Sequence, residues 1–249
     1  MISRYIPYGV KLFIRQNQRR LRDKKTGAAK MFAKVKDNKL TAEFVKIVAI
    51  KQPIHYNPLA ANKVENIKIA QKKIENILIH PNQIFSFWEL VKKPSKKDGY
   101  KSGRNIIGDS LQEDIGGGLC QISGIIYHLA LVGGLEIIER HNHTIDLYTE
   151  ENRYTPIGTD ATVVYGFKDI RFKNSTNVVL SFQFDINPNQ FTATLLAKNK
   201  ISLYTLRYER VDTEGIRDVK TFRSLRNNDS DNEYNFASEE FVNLSRYKL

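Results

Sequence analysis

The sequence predicts an α+β fold in which helices pack on an antiparallel β-sheet, with the chain's one cysteine at the N-terminus of a buried helix. Three observations carry this. Val64, Ile67, Ala70, Ile74 and Ile77 recur at intervals of three and four, the spacing of one apolar helical face. The run from Leu119 to Val132 is almost wholly apolar and lies between "GGG" and "GG", so it reads as a buried helix closed by Gly133 and Gly134. From Leu135 onward, short β-type runs alternate with turn residues, which predicts consecutive antiparallel strands.

Residues 1–50 keep no sustained apolar period and read as a basic lead-in with one or two short helices between "YGVKLFIRQNQRRLRD" and "TAEFVKIVAI". In the helix that follows, Asn62 is placed to cap, Glu65 to reach back and Pro81 to end the pattern, while Lys63, Lys68, Lys72 and Lys73 fall on its wet side. "IFSFWELV" gathers Phe85, Phe87 and Trp88, read as a core edge in preference to a binding surface. "KKPSKKDGYKSGRN" reads as an exposed loop. The strands are expected in "LEIIERHNHTIDLYT", "ATVVYG", "DIRFKN", "VVLSFQFDI", "FTATLLAKN" and "SLYTLRYERV", with "RNNDSDNEYN" as a polar loop or tail. This divides the chain into a lead-in (1–50), a central domain (51–204) and a C-terminal strand with its tail (205–249).

Composition narrows the classes. One cysteine permits no intramolecular disulfide, and C-x-x-C zinc pairs are absent. No run reaches the eighteen apolar residues of a membrane helix, and the first residues lack a signal-peptide pattern. The expectation is a soluble, cytoplasmic protein, with association to the cell envelope as the alternative. The net charge of +12 lies in the first part: residues 1–100 hold 22 Lys+Arg against 7 Asp+Glu, and the rest 17 against 20. That half can be a solvated lysine-rich surface or can meet an anionic polymer or membrane surface. Nucleic acid is disfavoured because no recognised binding motif accompanies the charge.

The chemistry centres on "GGGLCQ". A thiol attacks as the thiolate, and a helix N-terminus or a neighbouring imidazolium lowers its pKa. The glycines permit close approaches, and N–H groups around Gly117 and Gly118, joined by the Gln121 side chain, can receive an oxyanion. If "LEIIERHNHTIDLY" is a regular strand, His141 and His143 share its mostly apolar face with Leu135, Ile137 and Glu139. A cysteine packed there gains a base. Asp160 is the candidate to orient the imidazole, ahead of Asp146, and Arg153 is a candidate substrate-binding residue. Against these stand three plain alternatives: a lone cysteine as core filler, two hydrogen-bonded core histidines, or a zinc site from His141, His143 and Cys120.

"FSFWELVKKPSKKDGYKSGRNI", "DIGGGLCQISGIIYHLALVGGLEIIERHNHTID" and "RYTPIGTDATVVYGFKDIRFKN" together resemble the VanW family, over about Asn57 to Ala197. The resemblance implies a cell-wall context and, by analogy with exported members, L,D-transpeptidase-like thiol chemistry on peptidoglycan peptides or their precursors. It makes Cys120 the nucleophile and favours His143 over His141 as base, with Asp160 the orienting group. No cofactor is called for. The competing expectations are a non-catalytic protein that binds an anionic polymer through its basic first part, and a zinc hydrolase.

Overall fold

A computed structural model describes residues 6–54, 58–107, 110–146, 153, 155–226 and 236–249, with backbone only at 104–107 and 110–112. The basic lead-in is more ordered than its composition suggests. It holds α1 (Tyr8–Lys25), the short α2 (Ala28–Met31) and α3 (Asn38–Ala42), the last capped by the Asp37 carboxylate accepting from the Lys39 and Leu40 N–H groups. "VKIVAI" is not helical as expected: it opens strand β1 (Val45–Pro53), paired antiparallel with a strand some 145 residues later in the register Val45 to Ala197. Only that distant partner decides the matter, because short β-branched runs suit either state.

Helix α4 (Ala60–Ile74) buries Val64, Ile67, Ala70 and Ile74 as the periodicity predicts. Its ends differ. It starts before Asn62, whose amide instead donates to the Ser102 carbonyl at 2.9 Å. It ends at Ile74, where Glu75 turns out of the helix with ψ 144° and Asn76 follows with a positive φ of 60°, so Ile77 leaves the helix and bridges Lys36. β2 (Ile84–Ser86) and α5 (Phe87–Val91) follow, with the Ser86 hydroxyl accepting from the Glu89 N–H. Phe85 and Phe87 are fully buried, and Phe85 stacks on Phe172 at 4.7 Å, so the aromatic cluster belongs to the core. The expected loop is in part a hairpin of β3 (Ser102–Ile107) and β4 (Ser110–Ile115).

Helix α6 (Leu119–Val132) is the centre of the molecule: Ile122, Ile125, Ile126 and Leu129 have no exposed surface and join the main apolar cluster. The remaining strands are β5 (Glu136–Glu139), β6 (Arg171–Lys173), β7 (Leu180–Ile186), β8 (Gln190–Ala197), β9 (Tyr204–Thr213), β10 (Ile216–Leu225) and β11 (Glu240–Lys248). They form no single meander. Three antiparallel sheets result, in the orders β1-β8-β7, β2-β6-β5 and β11-β10-β9, beside the β3-β4 hairpin. The fold is α+β, with few helices set against antiparallel sheets.

Two predicted strands are largely absent. β5 ends at Glu139, residues 140–143 have no regular structure, and Ile145 makes a lone parallel bridge to Lys248. "ATVVYG" contributes one bridge, Val164 to Lys168. The rest of the expected strand after 146 and the polar stretch 227–235 lie outside the described residues. Among the described residues no helix is long and apolar enough to cross a membrane.

The interior of α6 carries an acid-sensitive group. Burial pushes the His128 imidazole down to about 4, and its Nδ1 meets no partner. Because the folded value lies below the ordinary one of about 6.5, the unfolded chain takes the proton first; stability falls as pH drops through that window, by no more than about 3 kcal/mol. His128→Gln is expected to flatten this dependence. Urea midpoints at pH 7 and pH 5 measure it, and an equal decline in both proteins contradicts the assignment.

Candidate functional site

Cys120 is the second residue of α6 and is half-buried, its thiol pointing at the Val163 carbonyl 4.0 Å away. His143 lies in the irregular segment after β5. Its backbone N–H and its ring Nδ1 both meet Asp160 Oδ2, at 2.7 and 2.8 Å. With Nδ1 on the carboxylate, Nε2 is the nitrogen left to face the sulfur. Burial works against a thiolate at Cys120, but the hydrogen bond and the positive charge of His143 outweigh it and bring the thiol below its ordinary value. Burial likewise works against the imidazolium, yet Asp160 and Cys120 push His143 up to about 10. The two shifts are linked, since each group is among the causes of the other's.

Asp160 is itself held from three sides. Arg140 Nη2 donates to its Oδ1 at 2.8 Å, the Tyr247 hydroxyl donates to the same oxygen, and His143 occupies the other. These partners overcome burial and keep the carboxyl well below the usual carboxylate range. Arg140, its side chain only 5% exposed, also bonds the Asp160 and Gly158 carbonyls and Ser245, and lies over the Tyr127 ring at 5.0 Å. Asn243 donates to the Tyr127 hydroxyl. Strand β11 thus reaches the site through Asn243, Ser245 and Tyr247.

The glycine turn explains how Cys120 is presented. Gly117 passes so close to Gly103 that an added Cβ would stand 2.1 Å from the Gly103 carbonyl carbon, while the Gly117 carbonyl accepts from Asn66 at 2.9 Å. Gly118 takes the left-handed conformation, φ 96°, as the N-cap of α6. Among the described residues the N–H groups of Gly118 and Cys120 meet no acceptor, as expected at the first turn of a helix, where the dipole also favours negative charge.

Lys63 is the residue that sequence reasoning misplaced. Read as part of the solvated face of α4, it is half-buried, its stem running over Gly118 where an added Cβ would come within 2.5 Å of Lys63 Cγ. Burial lowers its pKa, and the negative charge on Cys120 opposes that fall.

The other candidates have different partners. His141 Nε2 meets Glu139 Oε1 at 3.0 Å, and Glu139 is gripped by Arg19 at 2.7 and 3.0 Å. The two histidines therefore turn to different carboxylates, because residues 140–143 leave the strand and the two-residue alternation with it. Among the described residues no three His, Cys, Asp or Glu side chains are placed to hold a metal ion, so the zinc alternative gains nothing from this geometry. The Gln121 amide nitrogen donates one of its two N–H groups to the Pro53 carbonyl at 3.0 Å, which ties α6 to β1. Arg153 pairs with Asp146 at 2.6 Å, and Asp146 also receives Arg217 at 2.8 Å. Arg140 and Tyr247 went unnoticed in the sequence, since no local pattern links them to Asp160.

Comparison with known proteins places the site in context. The family model described as VanW like protein matches residues 62–196, more than half of the chain. The uncharacterized protein YoaR of Bacillus subtilis (strain 168) is 36% identical over 123 residues, which cover 49% of this chain and 39% of that protein. The vancomycin B-type resistance protein VanW of Enterococcus faecalis (strain ATCC 700802 / V583) is 32% identical over 146 residues, 58% of this chain and 53% of the relative. The chain thus spans about two-fifths to one-half of the length of these relatives. No solved structure matches it. Cys120, His143 and Asp160 fall inside the family match, and Arg19 and Tyr247 fall outside it.

Proposed function

This chain belongs to the family of VanW-like proteins, and from that premise we propose that it is a cysteine-dependent acyl transferase or hydrolase acting on peptidoglycan-type peptides or their precursors. One observation carries the reading: the thiol of Cys120 is lowered in pKa chiefly by His143, whose Nδ1 rests on a triply held carboxylate. With Cys120 as nucleophile, His143 as base and Asp160 as orienting group, the arrangement suits thiol acyl transfer. The peptide substrate is supported by the relative named for B-type vancomycin resistance and by the cell-wall context that the family resemblance implies.

In the proposed reaction the Cys120 thiolate attacks the carbonyl of an amide. The carbonyl π electrons move to oxygen, and the N–H groups of Gly118 and Cys120 receive the oxyanion. His143 gives its proton to the departing amine as the C–N bond breaks, leaving an acyl thioester and a neutral imidazole. An incoming amine or water then loses a proton to His143, attacks the thioester, and expels the thiolate. Asp160 holds the ring with Nε2 toward sulfur throughout.

Incubation with peptidoglycan-type peptides tests the proposal. The wild type is expected to gain the mass of an acyl group on Cys120 and to release the amine, whereas Cys120→Ser gains none. Turnover that survives in Cys120→Ala contradicts the reading.

A further inference from the structure

Helix α1 has two faces, and the fold uses only one. At 100° per residue, Leu12, Gln16, Arg19 and Asp23 lie on one side. Leu12 is buried against Gly166, Arg19 grips Glu139, and Asp23 takes a two-pronged bond from Arg171 at 2.8 and 3.1 Å. The opposite side carries Val10, Ile14 and Leu21 with Phe13 at its edge. These are 48%, 42%, 58% and 66% exposed, although their side chains are among the most apolar available. The stripe is bordered by Arg20 and Lys24 on one flank and by Lys11 and Lys25 on the other, and none of these four makes an ion pair among the described residues. The one acidic residue of the helix, Asp23, is turned inward.

An apolar stripe edged by cations matches the boundary region of an anionic bilayer, where apolar side chains enter the acyl layer and basic side chains extend to the headgroup phosphates. A nucleic acid or soluble polyanion would engage the cations and leave the stripe wet. A second copy would bring the same four border cations, Lys11, Arg20, Lys24 and Lys25, against their own kind with no outward acid on the helix to offset them, a repulsive contact across a two-fold axis. We propose that the outward face of α1 docks this protein on the surface of anionic phospholipid membranes, with Val10, Phe13, Ile14 and Leu21 entering the interface. The inward ionic contacts of Arg19 and Asp23 hold the helix to the body, so the whole molecule rides on the bilayer. This role is independent of the chemistry at Cys120.

Co-sedimentation of the full chain with vesicles of phosphatidylglycerol and phosphatidylcholine in equal parts, and of phosphatidylcholine alone, tests it. Binding to the anionic vesicles is expected, at least about tenfold weaker to the neutral ones, with each neutralised border cation such as Lys24→Gln lowering affinity about fivefold. Phe13→Glu combined with Leu21→Glu is expected to reduce binding more than about tenfold with the thermal transition unchanged, since both side chains are exposed. As a check independent of that pair, Phe13→Trp should show blue-shifted emission on anionic vesicles. Absent binding, equal binding to neutral vesicles, or binding indifferent to the paired substitution would overturn the proposal. So would self-association that the pair abolishes without any vesicle binding.

Discussion

Replacing His143 with alanine is expected to slow the alkylation of Cys120 by iodoacetamide at pH 7 by about tenfold or more, because an unassisted thiol with a pKa near 8.5 is only a few per cent thiolate there. Turnover of any acyl substrate should fall further, by about a hundredfold to ten-thousandfold, since the leaving amine also loses its proton donor. The alkylation difference should vanish above pH 9, where the thiol ionises without help. The sign follows from the two linked shifts. The reactive pair exists above the lowered thiol pKa and below the His143 value of about 10, so activity should rise through the first and fall through the second. Asp160→Asn keeps the shape but removes the charge that sustains the imidazolium, which should draw the alkaline limb to lower pH. Equal alkylation rates for wild type and His143→Ala at pH 7 would remove the basis for the pair.

Arg171→Met is expected to destabilise the fold by about 3–5 kcal/mol, the cost of leaving buried charges without their partner. Arg171 bonds Asp23 through both Nη atoms and Asp169 through Nε at 2.9 Å, and it lies over the Phe32 ring at 5.1 Å. Asp169 is otherwise met by the Ser86 hydroxyl at 2.6 Å and the Trp88 N–H at 3.1 Å, yet burial still pushes its pKa up. Without Arg171, α1 loses the ionic anchor at Asp23. Hydrogen exchange over residues 8–25 should rise in the variant, and the urea midpoint should drop. A loss under about 1 kcal/mol would show that the cluster is solvated and that α1 is held by its other contacts.

The parts of this account that were legible in the sequence are those set by local pattern. The stripe of α4 and the glycine-bounded run of α6 are such cases, because one buried helical face writes its period into successive residues. The candidate site was legible only in its members. A regular strand with a partner alongside offers both histidines and Asp160, and only the family resemblance favours His143 over His141; neither segment is a regular strand. His143 and Asp160 meet because Arg140 and Tyr247 grip the carboxylate and the His143 backbone N–H completes its shell. Those partners lie 20 and 87 residues from Asp160, a separation that no periodicity encodes. His141 was drawn away by Glu139, itself fixed by Arg19 from a helix 120 residues earlier. The helical position of Lys63 is on the polar side and predicts a solvated side chain; Gly118, with no side chain, lets it lie down against the start of α6.

The most direct test uses the fact that the chain has one cysteine, so thiolate absorbance near 240 nm reports Cys120 alone against a Cys120→Ser blank. If the thiolate is paired with the His143 imidazolium, that absorbance persists at pH values below the ordinary thiol range of about 8.5 and is lost there in His143→Ala. A thiolate signal that emerges only at or above 8.5 in the wild type, unchanged by removal of His143, would contradict the account.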